Sequence, residues 1–322
     1  MRVGRLPSVP LRAASLALDA LAGVRDEASC TMCRRFRISR WVCLAPLVLA
    51  ACGDGGGSPG NLPTGSGEPA AGERRLAAVG VQLYTVRAAL AQDFEGTLRS
   101  IAAMGYTEVE FAGLFGHDPA QVAQLLAELN VTAVGSHVTW DRLRAEPDAA
   151  IEETLALGAE YIVFPWLPDT ERRTLAQWQG WVALLNQVGA SSQARGIELA
   201  YHNHDFEFVA IDGTRPIDLL LEGIDRSVVA LEVDTYWLAK AGAEPSELFA
   251  RYPGGVPLVH AKDMRSSDQS MADVGQGDLD FAALFAQGEQ AGLAHVIVEH
   301  DDTAEPMQSL QNSLAYLKAL TY

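Results

Sequence analysis

The stretch Ala194-Arg-Gly-Ile-Glu-Leu-Ala-Tyr-His202 carries the fold in miniature. An amphipathic segment ends on glycine, and a short apolar run rich in sheet-forming residues follows at once. Glycine just past a helix end supplies the left-handed backbone that a C-cap requires. The same arrangement recurs along the chain. Ile101-Ala-Ala-Met-Gly105 precedes Thr107–Phe111, and Leu125–Leu129 with Asn130 precedes Val131–His137. Ala156-Leu-Gly158 precedes Tyr161–Phe164, and Ala291-Gly292 precedes His295–Glu299. Val79–Leu83, Val228–Val233 and Pro257–Ala261 complete a set of eight predicted strands. Their mostly continuous apolar runs suit strands buried on both faces, hence a parallel sheet.

Eight strand–helix units over residues 78–322 match the size of a single (β/α)8 TIM barrel. A doubly wound open sheet is the alternative arrangement of the same elements. Against it, no Gly-x-Gly-x-x-Gly follows the first strand, and the eight runs are similar in length.

The remainder of the chain reads differently. Of the 24 basic and 41 acidic residues, residues 1–77 hold 10 and 6, a net of +4; residues 78–322 hold 14 and 35, a net of -21. A body that acidic repels a polyanion, which argues against a nucleic-acid partner. All four cysteines, Cys30, Cys33, Cys43 and Cys52, precede the barrel, so it has no disulfide, thiolate metal site or cysteine nucleophile. The cluster Arg34, Arg35, Arg37 and Arg40 leads into the apolar run Trp41–Ala51, about eleven residues and too short to span a bilayer. Its length and flanks are those of a signal-peptide core. Leu49-Ala-Ala-Cys52 resembles the bacterial lipobox, which implies lipidation at Cys52. Gly53 after it, in place of aspartate, points to the outer membrane. Residues 1–51 are therefore expected to be a leader and signal peptide, with Met32 as the natural start. Residues 52–77, rich in Gly and Pro, are expected to form a flexible tether to the cell envelope.

Active sites of such barrels lie at the C-terminal ends of the strands. Those ends read Gln82, Glu110, His137, Pro165-Trp166, His202 with His204, Asp234, His260 with Lys262, and Glu299. Four of the seven histidines fall in this set. His202, Asp234, His260 and Glu299 stand at equivalent points of strands five to eight. Two imidazoles and two carboxylates at one mouth suit a divalent cation, Mn²⁺ first, or Zn²⁺ or Co²⁺. A histidine at a strand end is more often a hydrogen-bonded turn residue, and His117, His295 and His300 are read that way. Trp166 and Trp237 are placed as walls of a sugar pocket, with Gln82, Glu110 and Glu207 as further substrate contacts.

Gly80-Val-Gln-Leu-Tyr-Thr-Val-Arg87, Tyr201-His-Asn-His-Asp-Phe-Glu-Phe208, Leu231-Glu-Val-Asp-Thr-Tyr-Trp237 and Val259-His-Ala-Lys-Asp263 resemble the xylose isomerase-like TIM-barrel superfamily, and within it the sugar phosphate isomerase/epimerase-type proteins. Val274-Gly-Gln-Gly277 and Ile297-Val-Glu-His300 fit the same pattern, so the resemblance spans residues 78–322. It implies a divalent metal, often Mn²⁺, on Asp234, His260 and Glu299. The fourth ligand, on strand five, is glutamate in the ketose epimerases and His202 here. That departure removes one of the two glutamates that move protons on opposite faces of the sugar; Glu207 or His204 is the available substitute. The histidine-bearing branch is also where dehydratases and lyases of keto-sugars and keto-inositols occur.

The expected chemistry is proton removal beside a carbonyl, giving an enediolate. Glu299, Lys262, His204 and His137 are the expected catalytic groups: Glu299 as base, His204 and His137 as neutral proton carriers, and Lys262 as an acid with a depressed pKa. Reprotonation on carbon makes the enzyme an isomerase or epimerase; loss of a β-substituent makes it a dehydratase or lyase. An envelope location and strand ends poor in arginine favour an unphosphorylated small-molecule carbohydrate. A carbohydrate-binding lipoprotein without turnover and an inert envelope barrel are the competing readings.

Overall fold

The computed structural model describes residues 72–322. The expected signal peptide, the expected lipidation site Cys52 and the expected tether up to residue 71 lie outside the described residues. Eight strands close into one parallel barrel: Gly80–Gln82, Glu108–Phe111, Thr132–His137, Tyr161–Phe164, Glu198–His202, Val229–Asp234, Leu258–Ala261 and His295–Val298. Each pairs with its neighbour in sequence, and the eighth returns to the first through Gly80 opposite Ile297. Closure of the ring excludes the open doubly wound sheet.

Four of the five expected stops work as C-caps; Gly196 is left-handed at φ 84° but stands two residues past Ala194, which caps its helix. Gly105, Asn130, Gly158 and Gly292 each end a helix in the left-handed region, with Asn130 at φ 55°. Val134, Tyr161, Val163, Ala200, Leu258 and Ile297 form the apolar plug inside the barrel. A larger layer between strands and helices buries Trp178, Phe164, Phe249 and Phe281, among others. The buried polar residues at the C-terminal ends of the strands gather above this plug, while His295 and Glu108 pair at its other end.

Two features were not foreseen. Past the seventh strand, Asp263–Met264 and Met271–Ala272 form a small antiparallel ribbon. The buried Asp263 carboxylate organises it by accepting from the backbone N–H groups of Met264, Gly275, Gly277 and Leu279. Arg74, inside the stretch read as tether, exchanges backbone hydrogen bonds with Tyr322, and Arg75 donates to the Lys318 and Ala319 carbonyls. No helix among the described residues is long and apolar enough to cross a membrane.

Candidate metal and sugar site

Strand alternation places the site. Residues two apart on a strand share a face, so Glu232 and Asp234 on the sixth strand both point into the barrel, and both are fully buried. His202 lies opposite Glu232 in register, and Asp234 opposite His260. The second strand slips against the third between Val109 and Glu110, and Gly135 stands beside the Glu110 carboxylate where a side chain would collide with it. That slip and that glycine let Glu110 turn inward.

His202, Asp234, His260 and Glu299 bring one ligand atom each to within 4.8 Å of one another. Asp234 Oδ1 caps the following helix by accepting from Trp237 N at 3.0 Å. Its Oδ2 is buried with no hydrogen bond, 3.3 Å from Lys262 Nζ, 3.7 Å from His202 Nε2 and 4.0 Å from His260 Nδ1. An orphaned carboxylate oxygen facing two ring nitrogens is what a cation site requires and what a closed hydrogen-bond network avoids.

A second tier fixes the imidazoles. His202 Nδ1 is 2.9 Å from Glu232 Oε2, and His260 Nε2 is 2.6 Å from Glu110 Oε2. Burial opposes ionisation of both carboxylates, yet the neighbouring histidines hold both below the usual range, Glu232 at about 2. An ionised carboxylate only accepts, so the facing ring nitrogens carry hydrogen. This leaves His202 Nε2 with its lone pair toward Asp234. Burial keeps His202 neutral, well below the ordinary histidine range. His260 Nδ1 also meets a carboxylate, Glu299 Oε2 at 3.0 Å. Burial opposes its charge, but Glu232, Glu299 and Glu110 hold it well above the ordinary range. A divalent cation bound there would take the place of the Nδ1 proton. Five buried or half-buried carboxylates (Glu110, Glu232, Asp234, Glu299, Asp301) crowd Lys262, His137 and His260, and that excess of negative charge also fits a cation.

Above this cluster opens a cavity of about 450 Å³ walled by His137, His202, His204, Lys262, Glu299, Trp166 and others. The four expected metal ligands and the four expected catalytic residues thus gather at one place. Of the expected substrate contacts Trp166 lines the cavity, while Gln82, Glu110, Glu207 and Trp237 do not reach its wall. Gln82 and Glu110 are sealed beneath it, with Gln82 Nε2 donating to Glu110 at 2.7 Å. Glu207 is fully buried, accepting from Tyr201 Oη at 2.7 Å and from His204 N at 2.9 Å, and so shapes the end of strand five. Trp237 stacks beside His204, whose ring also lies flat against Phe206. Of the turn histidines, His300 bonds Ser309, His295 faces Glu108, and His117 stacks on Phe94.

Two expectations about protonation are corrected. Lys262 does not have a depressed pKa. Burial works against its charge, but Asp234, Glu299 and Asp301, at 3.3, 3.1 and 2.6 Å, hold it above the ordinary lysine range. Nor is His137 a neutral carrier: burial would lower it, but Glu110 and Glu232, each 3.2 Å from Nε2, hold it up to about 10. His204 is neutral as expected, taken down to about 3 by burial and then by Lys262.

Sequence reasoning missed Glu232 and Asp301. Glu232 was legible two residues before Asp234 on a strand, where the pleat puts both on one face. Asp301 follows the last strand in a loop, and no periodicity marks it.

Comparison with known proteins agrees with the fold. The family model described as a xylose isomerase-like TIM barrel matches residues 98–320. An inosose dehydratase of Geobacillus kaustophilus (strain HTA426) is 26% identical over 213 residues, 59% of this chain and 68% of that protein. A sugar phosphate isomerase/epimerase from Parabacteroides distasonis ATCC 8503 superposes with a TM-score of 0.65 at 22% identity, covering 79% of this chain and 96% of that one. The IOLI protein, solved with a bound zinc atom, gives a TM-score of 0.62 at 15% identity over 76% and 99%.

Proposed function

The chain belongs to the xylose isomerase-like TIM-barrel family, and we propose that it is a metal-dependent enzyme that enolises an unphosphorylated sugar or keto-sugar, acting as an isomerase or epimerase. The observation that carries this reading is the convergence of His202 Nε2, Asp234 Oδ2, His260 Nδ1 and Glu299 beneath a cavity lined by proton-transfer groups. These four would hold a divalent cation, with Mn²⁺ first and Zn²⁺ or Co²⁺ as alternatives. The cation would supply Lewis-acid polarisation of a carbonyl and charge stabilisation for the enediolate.

The chain's own residues supply the rest. Glu299 stays ionised; with Oε2 toward Lys262 and the place the cation would take, its Oε1 is available as a base. Lys262 stays protonated and donates to developing negative charge on oxygen. Neutral His204 is too weak a base to take a proton and serves as a hydrogen-bond partner to the substrate, while protonated His137 can donate to developing charge on oxygen. The cavity lining contains no arginine, the residue a phosphate group calls for.

A second reading is dehydration or elimination from a keto-sugar. Strand five offers His202 where a carboxylate would serve a two-base epimerisation, and two protonated donors, Lys262 and His137, flank the cavity for a leaving hydroxyl. The inosose dehydratase relative supports the same reading. We also propose that Cys52 is lipidated, that the barrel faces the periplasm from the outer membrane, and that its partners are small carbohydrates and no nucleic acid.

The deciding experiment follows metal content by plasma mass spectrometry and carbon-bound proton exchange in D2O by NMR over a panel of ketoses and inososes. About one divalent ion per chain, lost in Asp234→Ala and His260→Ala, together with exchange, supports the enolising enzyme. Exchange with an isomeric product favours the first fate, and an enone absorbance the second. A folded chain that takes up no metal sinks both.

A further inference from the structure

The mouth of the cavity is built differently from its floor. Tyr84, just past the first strand, and Trp166, just past the fourth, are 42% and 45% exposed, yet both line the same cavity. The first and fourth strands are three steps apart in a ring of eight, so the two rings stand on well-separated parts of the rim.

Tyr84 is braced rather than loose. Its N–H donates to Gln82 Oε1 at 3.0 Å, its carbonyl accepts from Arg87 at 2.8 Å, and the Arg87 guanidinium lies 4.0 Å from the ring centroid. The same Arg87 donates to the Asp301 carbonyl at 3.0 Å and so ties this ring to the loop that carries Asp301. One Tyr84 face is therefore covered by a cation. Trp166 has no stacking partner and no hydrogen bond among the described residues. Single exposed aromatics are ordinary; two that open on one polar-floored cavity form a binding wall. The cavity equals about fifteen waters at ~30 Å³ each, more space than a single sugar ring fills. Sugar rings carry apolar C–H faces that pack on aromatic rings, while their hydroxyls need the polar floor below.

We propose that Tyr84 and Trp166 form an outer subsite for a second ring, and that the substrate is a glycoside or short oligosaccharide whose keto-bearing ring sits on the floor. This rests on the enolising reading above and names its substrate class. The floor selects the reacting ring through His204, Lys262 and Glu299; the rim selects what is attached to it.

The test is calorimetry on the full chain loaded with Mn²⁺, using two matched pairs of probes: D-fructose against isomaltulose, and D-glucose against phenyl β-D-glucoside. The two-ring member of each pair is expected to bind about tenfold more tightly, as burial of one aromatic face predicts. Trp166→Ala and Tyr84→Ala are expected to bring that ratio close to one, while Trp166→Phe and Tyr84→Phe keep most of it. Equal affinity for one- and two-ring sugars in the wild type overturns the subsite, as does an unchanged ratio in both alanine variants. Deuterium uptake into D-fructose separates the two failures. Uptake with equal affinities removes the subsite and leaves the enolising reading, whereas no uptake and no sugar binding removes both.

Discussion

Replacing Glu232 by glutamine should weaken the proposed metal site without touching any of its four proposed ligands. The carboxylate is fully buried, with Oε2 at 2.9 Å from His202 Nδ1 and 3.2 Å from His137 Nε2, and Oε1 at 3.2 Å from His260 Nε2. Glutamine keeps the shape and an acceptor but loses the charge. A hydrogen bond to a charged group is worth about 1.5–3 kcal/mol net and a neutral one about 0.5–1.5. The exchange therefore removes about 1–1.5 kcal/mol of orientation at His202, and up to a similar amount at His260. At about 1.4 kcal/mol per decade, Mn²⁺ affinity should fall about 10–100-fold, the range expected for partners of metal-bound histidine. Competition with a chromophoric chelator measures the dissociation constant, and imidazole ¹⁵N shifts report whether His202 still carries its proton on Nδ1. Glu110→Gln should act in the same direction through His260. If Glu232→Gln binds Mn²⁺ within twofold of wild type while His202→Ala loses it, the two-tier account of the site is wrong.

Burial raises the Glu207 carboxyl to about 7, against an ordinary value near 4.5. The folded state thus binds a proton that the unfolded state releases, so stability should decline as pH rises from about 4.5 to 7, by roughly 3 kcal/mol in all. Denaturant midpoints across that range should fall more steeply with pH in wild type than in Glu207→Gln. Gly135→Ala would place a Cβ 2.5 Å from Glu110 Oε1; overpacking of that kind costs about 1–3 kcal/mol, which should lower Tm by several degrees and loosen metal binding. An unchanged Tm would mean that Glu110 has room to move. Lys262→Met leaves Asp234, Glu299 and Asp301 without their shared cation. It should cost about 3–5 kcal/mol and abolish proton exchange, with part of the stability restored when Mn²⁺ is supplied; denaturation with and without the ion checks this.

The barrel was legible because its signals are local. A helix stop and a buried strand are each written in fewer than ten consecutive residues, and eight repetitions of that pair leave few ways to close a sheet. The four convergent ligands were legible for the same reason: His202, Asp234, His260 and Glu299 sit at equivalent points of repeating units, and equivalent points of a barrel share one mouth. Protonation was not legible. Lys262 and His137 take their charge from carboxylates remote in sequence, Asp234 and Glu299 for the one, Glu110 and Glu232 for the other.

Chain order alone therefore determined the architecture, the end of the barrel where ionisable side chains gather and the residue types that meet there. Only the tertiary structure decided which polar residues face solvent-accessible space and which support from beneath. Glu110 and Glu207 look like contact residues in one dimension, yet a slipped register beside Gly135 and a turn after strand five put them behind the wall. Tyr84 and Trp166, 82 positions apart, share a cavity because the ring closes. Periodicity specifies which face of a strand a side chain takes, but the depth at which that face meets water is a property of the closed barrel.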